Sequence, residues 1–346
     1  MQLVEPFLEE QWIVDGVASA TRPKVDSLYI KPLLQSLGLS GTDVVRHSLV
    51  LDNNVLADLI ESRRPANNEF LERLLKSRPI ELNPVVAFLE QRQKFSGATK
   101  ALADYRDYLA RAFGHHISDQ NLAALEKSLE DEKPALISNI ETLAGYLSLT
   151  IYLYHQNWSI EKKLETLAGL VCANNLPVFQ LHFYFAALVF LVGERVELFD
   201  QADVKKVRKD MTVAKSVDEH WVKVRNLAND LAFPALSLFY AGLGPGALVF
   251  PYAATRDRLC QLLLSQVSCA MVMAGDDGRA NGLWMPSDGS LLKEQLGTQL
   301  DFYIPRRKAL QEAGDVAIRS ANVRAFADRY VKMAVVHHGG QVSPLS

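Results

Sequence analysis

His47-Ser-Leu-Val-Leu-Asp52-Asn-Asn-Val-Leu-Ala-Asp58-Leu-Ile-Glu61 carries the strongest local pattern in the chain. Ser48 to Leu51 is a short apolar run, and Asp52-Asn53-Asn54 follows it at once. Beyond these, Val55, Leu56, Leu59 and Ile60 recur at the i, i+1, i+4, i+5 spacing of one helix face. The pattern is that of a buried strand feeding directly into a helix, with Asp52 at the joint. In an open α/β sheet the carboxyl ends of the strands are where ligands and metal ions collect. Asp58, further along the same helix, is expected to face solvent.

Downstream, Ser62-Arg63-Arg64-Pro65 stops the helix, and Asn67-Asn68-Glu69 is an N-cap signal. It opens a helix from Glu69 to Lys76 that carries Phe70, Leu71, Leu74 and Leu75 on one face. Ile80 to Val85 forms a second short strand, and it passes into a helix over Val86–Gln91 that contains Glu90. Trp221 to Tyr240 is an apolar helix with a polar edge of Arg225, Asn226, Asn229 and Asp230. Asn226 and Asp230, four apart, project from the same side. A turn over Gly242–Gly246 precedes a third strand, Ala247 to Tyr252, and that strand runs into Ala254-Thr255-Arg256-Asp257.

This series resembles the PIN-domain nucleases. Their opening motif, hydrophobic-Asp-x-Asn-hydrophobic-Leu, is matched by Asp52 and Asn54. The acid on the helix after their second strand, introduced by a proline, is matched between Pro84 and Glu90. Their third acid opens an alanine-containing apolar helix before the last core strand, the place of Asp230-Leu-Ala-Phe-Pro-Ala-Leu. Their closing Thr-x-Asp is matched by Thr255 and Asp257. The resemblance covers roughly residues 46–96 and 222–265. It departs from the family pattern between the second and third acids, where compact PIN domains have far fewer residues.

The fold implied is α/β: a PIN-like parallel sheet flanked by helices, with a large, mostly α-helical insertion and helical terminal extensions. The corresponding division is an N-terminal extension over 1–46, a first half of the core over 47–98, the insertion over 99–221, the second half over 222–270 and a C-terminal extension over 271–346. The activity implied is that of a metal-dependent endoribonuclease. Asp52, Glu90, Asp230 and Asp257 would hold Mg²⁺ or Mn²⁺, directly or through water, and Asn54 would orient Asp52 or a bound water. The chemistry is coherent. Crowded carboxylates repel one another unless a cation neutralises them, and oxygen ligands without His or Cys select Mg²⁺ or Mn²⁺. Such ions activate water against phosphodiesters. The resemblance implies RNA as the substrate ahead of DNA. It is also compatible with a homo-oligomer, or with an inhibitory partner of the kind found in toxin–antitoxin and phage-defence systems that use PIN domains. Two other readings stay open: a PIN-like helical interaction module without catalysis, and a structure-specific DNA nuclease.

Outside the resemblance, residues 1–46 carry two helical segments, Pro6–Val14 and Lys31–Leu37, expected to pack on the sheet edge. In the insertion, Tyr105, Tyr108, Leu109 and Phe113 make one stripe, and Leu122, Leu125 and Leu129 another. A third runs from Ile137 to Ile151, and no fixed repeat period links them. The densest basic region is Lys205, Lys206, Arg208 and Lys209, with Lys215, Lys223 and Arg225 following. It is either a solvated helical face or a surface for a nucleic-acid backbone, with Lys205, Lys206, Arg208, Lys209 and Arg225 as the candidate contacts. In the C-terminal part, Asp276 and Asp277 fall in a polar turn and Leu283–Pro286 is expected to cover an edge. Helices follow around Leu291–Phe302 and Val316–Val335.

Composition bounds these readings. The chain has 346 residues, 49% of them hydrophobic and 22% charged, as in an ordinary globular protein. A formal net charge of −3 excludes the strongly basic balance of a dedicated duplex binder. Cys172, Cys260 and Cys269 lack metal-ligand spacing and sit in apolar runs, which suggests buried thiols in a reducing compartment. With no signal-peptide pattern at the N-terminus, the expected location is cytoplasmic. Leu176 to Gly193 approaches the length of a membrane span, but Pro177, Gln180 and His182 interrupt it and leave the length of a buried core helix. No glycine-rich phosphate loop, nucleophile elbow or zinc pattern is present.

Overall fold

In the computed structural model the decisive strand is β3, Val44–Leu51, and it is the middle member of a parallel trio. The structure describes residues 13–14, 17–19, 44–61, 80–94, 99–174, 176, 179–239, 243–244, 247–274, 280–301, 323, 328–333 and 335. Ser48, Leu49, Val50 and Leu51 are all buried, as in a strand covered on both faces. β4 (Ile80–Asn83) lies on one side of it, with His47–Val50 opposite Ile80–Asn83. β6 (Ala247–Thr255) lies on the other, with Val44–Leu51 opposite Ala247–Ala254. The three segments expected to share one sheet therefore do so.

Each flanking helix starts where its strand ends. α1 (Asn53–Glu61) follows β3 and buries Val55, Leu56 and Leu59. α2 (Val85–Lys94) follows β4 and packs against α1. Its first turn is fixed by Asn83 Oδ1, which accepts from the Val85 N–H at 3.1 Å, and by the Pro84 carbonyl, which accepts from Phe88 at 3.0 Å. Phe88 then meets Tyr105 of α3 (Thr99–Phe113) edge-on, with ring centroids 5.6 Å apart. α3 is thereby anchored to the layer that covers the sheet.

Two short pieces of the N-terminal segment join the sheet edge, and they do so as strands. β1 (Ile13–Val14) pairs antiparallel with β2 (Val17–Ser19), and β2 pairs antiparallel with β6. The strand order is β1-β2-β6-β3-β4, with β5 (Leu243–Gly244) also antiparallel to β6. Ile13 and Val14, expected to end a helix, are strand because β-branched residues beside an open edge gain ladder hydrogen bonds there. The expected helices over Lys31–Leu37 and Glu69–Lys76, and the turn with Asp276 and Asp277, lie outside the described residues.

The chain divides into two compact units. The first, Met1–Leu136 with Phe233–Gln261 and Ser268–Met285, holds the sheet. It also contains most of a two-stranded sheet of β7 (Val267–Ala274) and β8 (Ala280–Pro286), to which Leu283–Pro286 belongs.

The second unit is Ile137–Ala232, Leu262–Val267 and Pro286–Ser346. It takes in most of α4 (Asp119–Tyr154), all of α5 (Ile160–Ala173), α6 (Gln180–Glu194) and α7 (Gln201–Asp210), and most of α8 (Val217–Phe239). The apolar stripes at Leu122–Leu129 and Ile137–Ile151 both lie on α4. α6 is buried almost all round, from Leu181 to Val192. His182, which interrupts its apolar run, is buried too: Nε2 hydrogen-bonds the Thr150 hydroxyl at 2.8 Å and the ring stacks on Tyr146 at 5.0 Å. Burial pushes this imidazole down to about 3, so it is neutral. Among the described residues no helix is long and apolar enough to cross a membrane.

Candidate acidic site at the sheet edge

Asp52 is the first residue past β3, and its backbone is held on both sides. Its N–H donates to the Ala254 carbonyl and its own carbonyl accepts from Leu56, each at 2.9 Å. It thus ends the ladder with β6 and opens α1. The side chain is 3% exposed, and Oδ2 accepts from the Thr255 hydroxyl at 2.7 Å. The same hydroxyl oxygen accepts from the Asp257 N–H at 3.1 Å. Asp257 Oδ1 in turn accepts from the Cys260 N–H at 2.8 Å, capping α9 (Arg258–Gln266). Thr255 thus stands between two acids, touching the side chain of one and the backbone of the other.

The third acid, Glu90, is half-buried on α2. Its neighbour Gln91 donates from Nε2 to Asn53 Oδ1 at 2.6 Å, tying α2 to the first turn of α1. Asp52 thus follows the middle strand of the trio, Asp257 follows one neighbouring strand, and Glu90 lies on the helix after the other. From β3 the chain goes first to β4 on one side and later to β6 on the other, so the order of connection switches beside β3, the kind of crevice at which open α/β sheets bind ligands.

Electrostatics record the same grouping. The Asp52 carboxyl is raised to about 6, chiefly because burial disfavours its charge. The Thr255 hydrogen bond pulls it back, the negative charges of Glu90 and Asp257 push it up, and the Asn53 N–H pulls it down. Three carboxylates therefore share one field. A donor set of oxygens alone, with a buried carboxylate raised by two others, has the chemistry that suits a hard divalent cation. The spacing is looser than a finished ligand shell: among the described residues no group of three or more His, Cys, Asp or Glu side chains is close enough to hold a metal ion.

The other predicted residues are placed as follows. Asp230 lies on α8, half-buried, in the second unit, whereas Asp52, Glu90 and Asp257 belong to the first. Asn54 is exposed and, among the described residues, makes no hydrogen bond to Asp52. The hydroxyl that holds Asp52 is that of Thr255. Asp58 does not face solvent: it is buried and its Oδ2 is ion-paired with Arg256 Nη1. Its helix packs on more than one side, so the buried face takes in Asp58 beside Val55 and Leu59.

In the basic region, Lys205, Arg208 and Lys209 are exposed on α7. Lys206 pairs with Asp210 at 2.9 Å. Arg225 donates from Nε and Nη2 to the two oxygens of Glu141 at 2.6 and 3.2 Å, and lies 5.6 Å from the Trp221 ring centroid. Lys223 Nζ donates to the Lys209 and Thr212 carbonyls at 3.0 and 2.6 Å, where a cation complements the C-terminal end of α7.

Neither Arg256 nor Gln91 matches a residue of the motifs above. Arg256 is the middle residue of the Thr-x-Asp run, its one signal in the sequence. Compared with family models, with curated proteins and with solved structures, the chain matches none.

Proposed function

We propose that the chain is a metal-dependent nuclease of PIN type that hydrolyses RNA phosphodiester bonds. The observation that carries this reading is the electrostatic grouping of Asp52, just past the middle strand, with Asp257, just past β6, and Glu90 on α2, both close enough to disturb the charge of Asp52. These three would hold Mg²⁺ or Mn²⁺, directly or through water; Asp230 remains a fourth candidate on the resemblance alone. When bound, such an ion lowers the pKa of a water and neutralises charge on the attacking and leaving oxygens. The chain's own part is to hold Asp52 ionised and oriented through Thr255, with Asp257 set by its cap on α9. Lys205, Arg208 and Lys209, exposed on α7, are the candidate phosphate contacts. A role as toxin or phage-defence effector, with an inhibitory partner, belongs to the same reading.

The test is cleavage of mixed RNA and DNA with and without Mn²⁺ by wild type, Asp52→Asn and Asp131→Asn. Asp131, exposed on α4, is the control. Mn²⁺-dependent RNA cleavage lost only in Asp52→Asn supports the proposal, and equal rates in all three remove it. Preferential DNA cleavage would favour the structure-specific DNA nuclease.

A second reading, an interaction module on a PIN-like fold, draws on the absence of a close three-ligand group among the described residues. It expects no metal binding and no cleavage by the wild type.

A further inference from the structure

Arg256 lies between the two residues that organise the acids, yet its side chain serves a different contact. Thr255 bonds Asp52 and Asp257 caps α9, while the Arg256 guanidinium reaches Asp58 on α1. Both partners are deeply buried, with 5% of the Arg256 side chain and 11% of the Asp58 side chain exposed. A buried ion pair is a weak source of stability, because desolvating both charges offsets most of their attraction. What it supplies is geometry. Two side-chain links, Asp52 to Thr255 and Asp58 to Arg256, join the same two segments: the β3–α1 joint and the β6–α9 joint. The first link, with the Asp52 N–H to Ala254 carbonyl bond, fixes the end of β6, and the second adds a hold on the residue directly before Asp257.

We infer that Arg256 is a positioning residue of the acidic site, its buried pair with Asp58 setting where Asp257 stands relative to Asp52. The inference rests on the metal-site reading above. Arg256 is too buried to meet a substrate phosphate and acts through Asp257.

The experiment measures Mn²⁺ affinity by calorimetry, together with thermal melting, for wild type, Arg256→Met, the double variant Arg256→Met/Asp58→Asn, and Arg256→Lys. Arg256→Met leaves Asp58 buried without its cation, so both stability and affinity fall. The double variant removes both charges, and its melting temperature should return toward wild type. Its Mn²⁺ affinity should stay about 10- to 100-fold weaker, the usual cost of losing a group that orients metal ligands. A merely structural pair predicts the opposite: a double variant that melts like wild type and binds Mn²⁺ equally well, which overturns the inference. Should the double variant not fold, Arg256→Lys decides. It keeps the charge but loses the planar fork, so weaker binding at an unchanged melting temperature supports positioning, and unchanged binding counts against it. A wild type that binds no Mn²⁺ removes the metal-site reading itself, and this inference with it.

Discussion

At the scale of the residue, the Asp52 carboxylate is held in a position that disfavours its own charge. Its folded value, about 6, lies above the ordinary 3.8. Ionisation therefore costs the folded state little below pH 4 and most above pH 6. Asp52→Asn should raise the melting temperature at pH 7, by an amount worth on the order of 2–3 kcal/mol, and the gain should shrink as pH falls from 6 to 4. Melts at pH 7 and pH 4 check this, and a gain that does not depend on pH would contradict it. Thr255 acts in the other direction, since its hydroxyl stabilises the charged form. Thr255→Val keeps the shape and deletes that donor. It should cost about 1–3 kcal/mol at pH 7, as expected for a buried acceptor left without its partner, and less at pH 4. Urea unfolding at the two pH values measures the difference.

At the scale of the element, packing decides where propensity alone would mislead. Gly193 sits near the end of α6, and a helical Gly→Ala change ordinarily gains about 0.5–1 kcal/mol. Here an added Cβ would meet Tyr154 Cε2 at 2.8 Å, so the ring that ends α4 must move. Overpacking of that kind costs about 1–3 kcal/mol, which exceeds the propensity gain. Gly193→Ala should therefore be net destabilising by about 1 kcal/mol in chemical denaturation, and Tyr154→Leu should restore the ordinary helical gain. The joints at the sheet edge follow the same logic. α2 is started by Asn83 and α9 by Asp257, and a cap costs about 1 kcal/mol when lost. Part of the cost of any Asp257 substitution is thus helical, so such a variant must be compared with wild type at matched folded concentration.

At the scale of the whole molecule, the two units respond to pH in opposite senses. The second unit contains His182, pushed down by burial to about 3, and His220, pushed down to about 4 by burial and then by the charge of Lys223. A histidine whose folded value lies below 6.5 stabilises fully above that pH and loses its contribution as pH falls toward the folded value. That unit should weaken from pH 6.5 downward, while Asp52 eases the first unit across the same range. His220 is fully buried, and among the described residues neither ring nitrogen has a hydrogen-bond partner. His220→Leu should therefore change the melting temperature little at pH 7 and raise it at pH 5. A variant that melts like wild type at both would show that His220 does not carry the acid sensitivity.

Periodicity and punctuation placed β3, β4 and β6, the helices that follow the first two, and Asp52 at the first joint; Glu90 and Asp257 stood out through the resemblance, and α9 was not foreseen. Alternation, apolar runs and capping residues are local, and a strand-to-helix joint is written in consecutive residues. The fate of Asp58 was not legible. Helical spacing says which residues share a face, not how wide a face the neighbours will bury. Asp58 is buried because Arg256 arrives from far along the chain, and a charge can leave water only when such a partner is there. Ile13 and Val14 became strand for a similar reason: an open edge on β2, itself paired to β6, was available to them. The Thr255–Asp52 bond spans 203 positions. Residue types and local order were set by the sequence, but only tertiary structure decided which charges are buried together, because the cost of burying each depends on groups that the chain brings in from elsewhere.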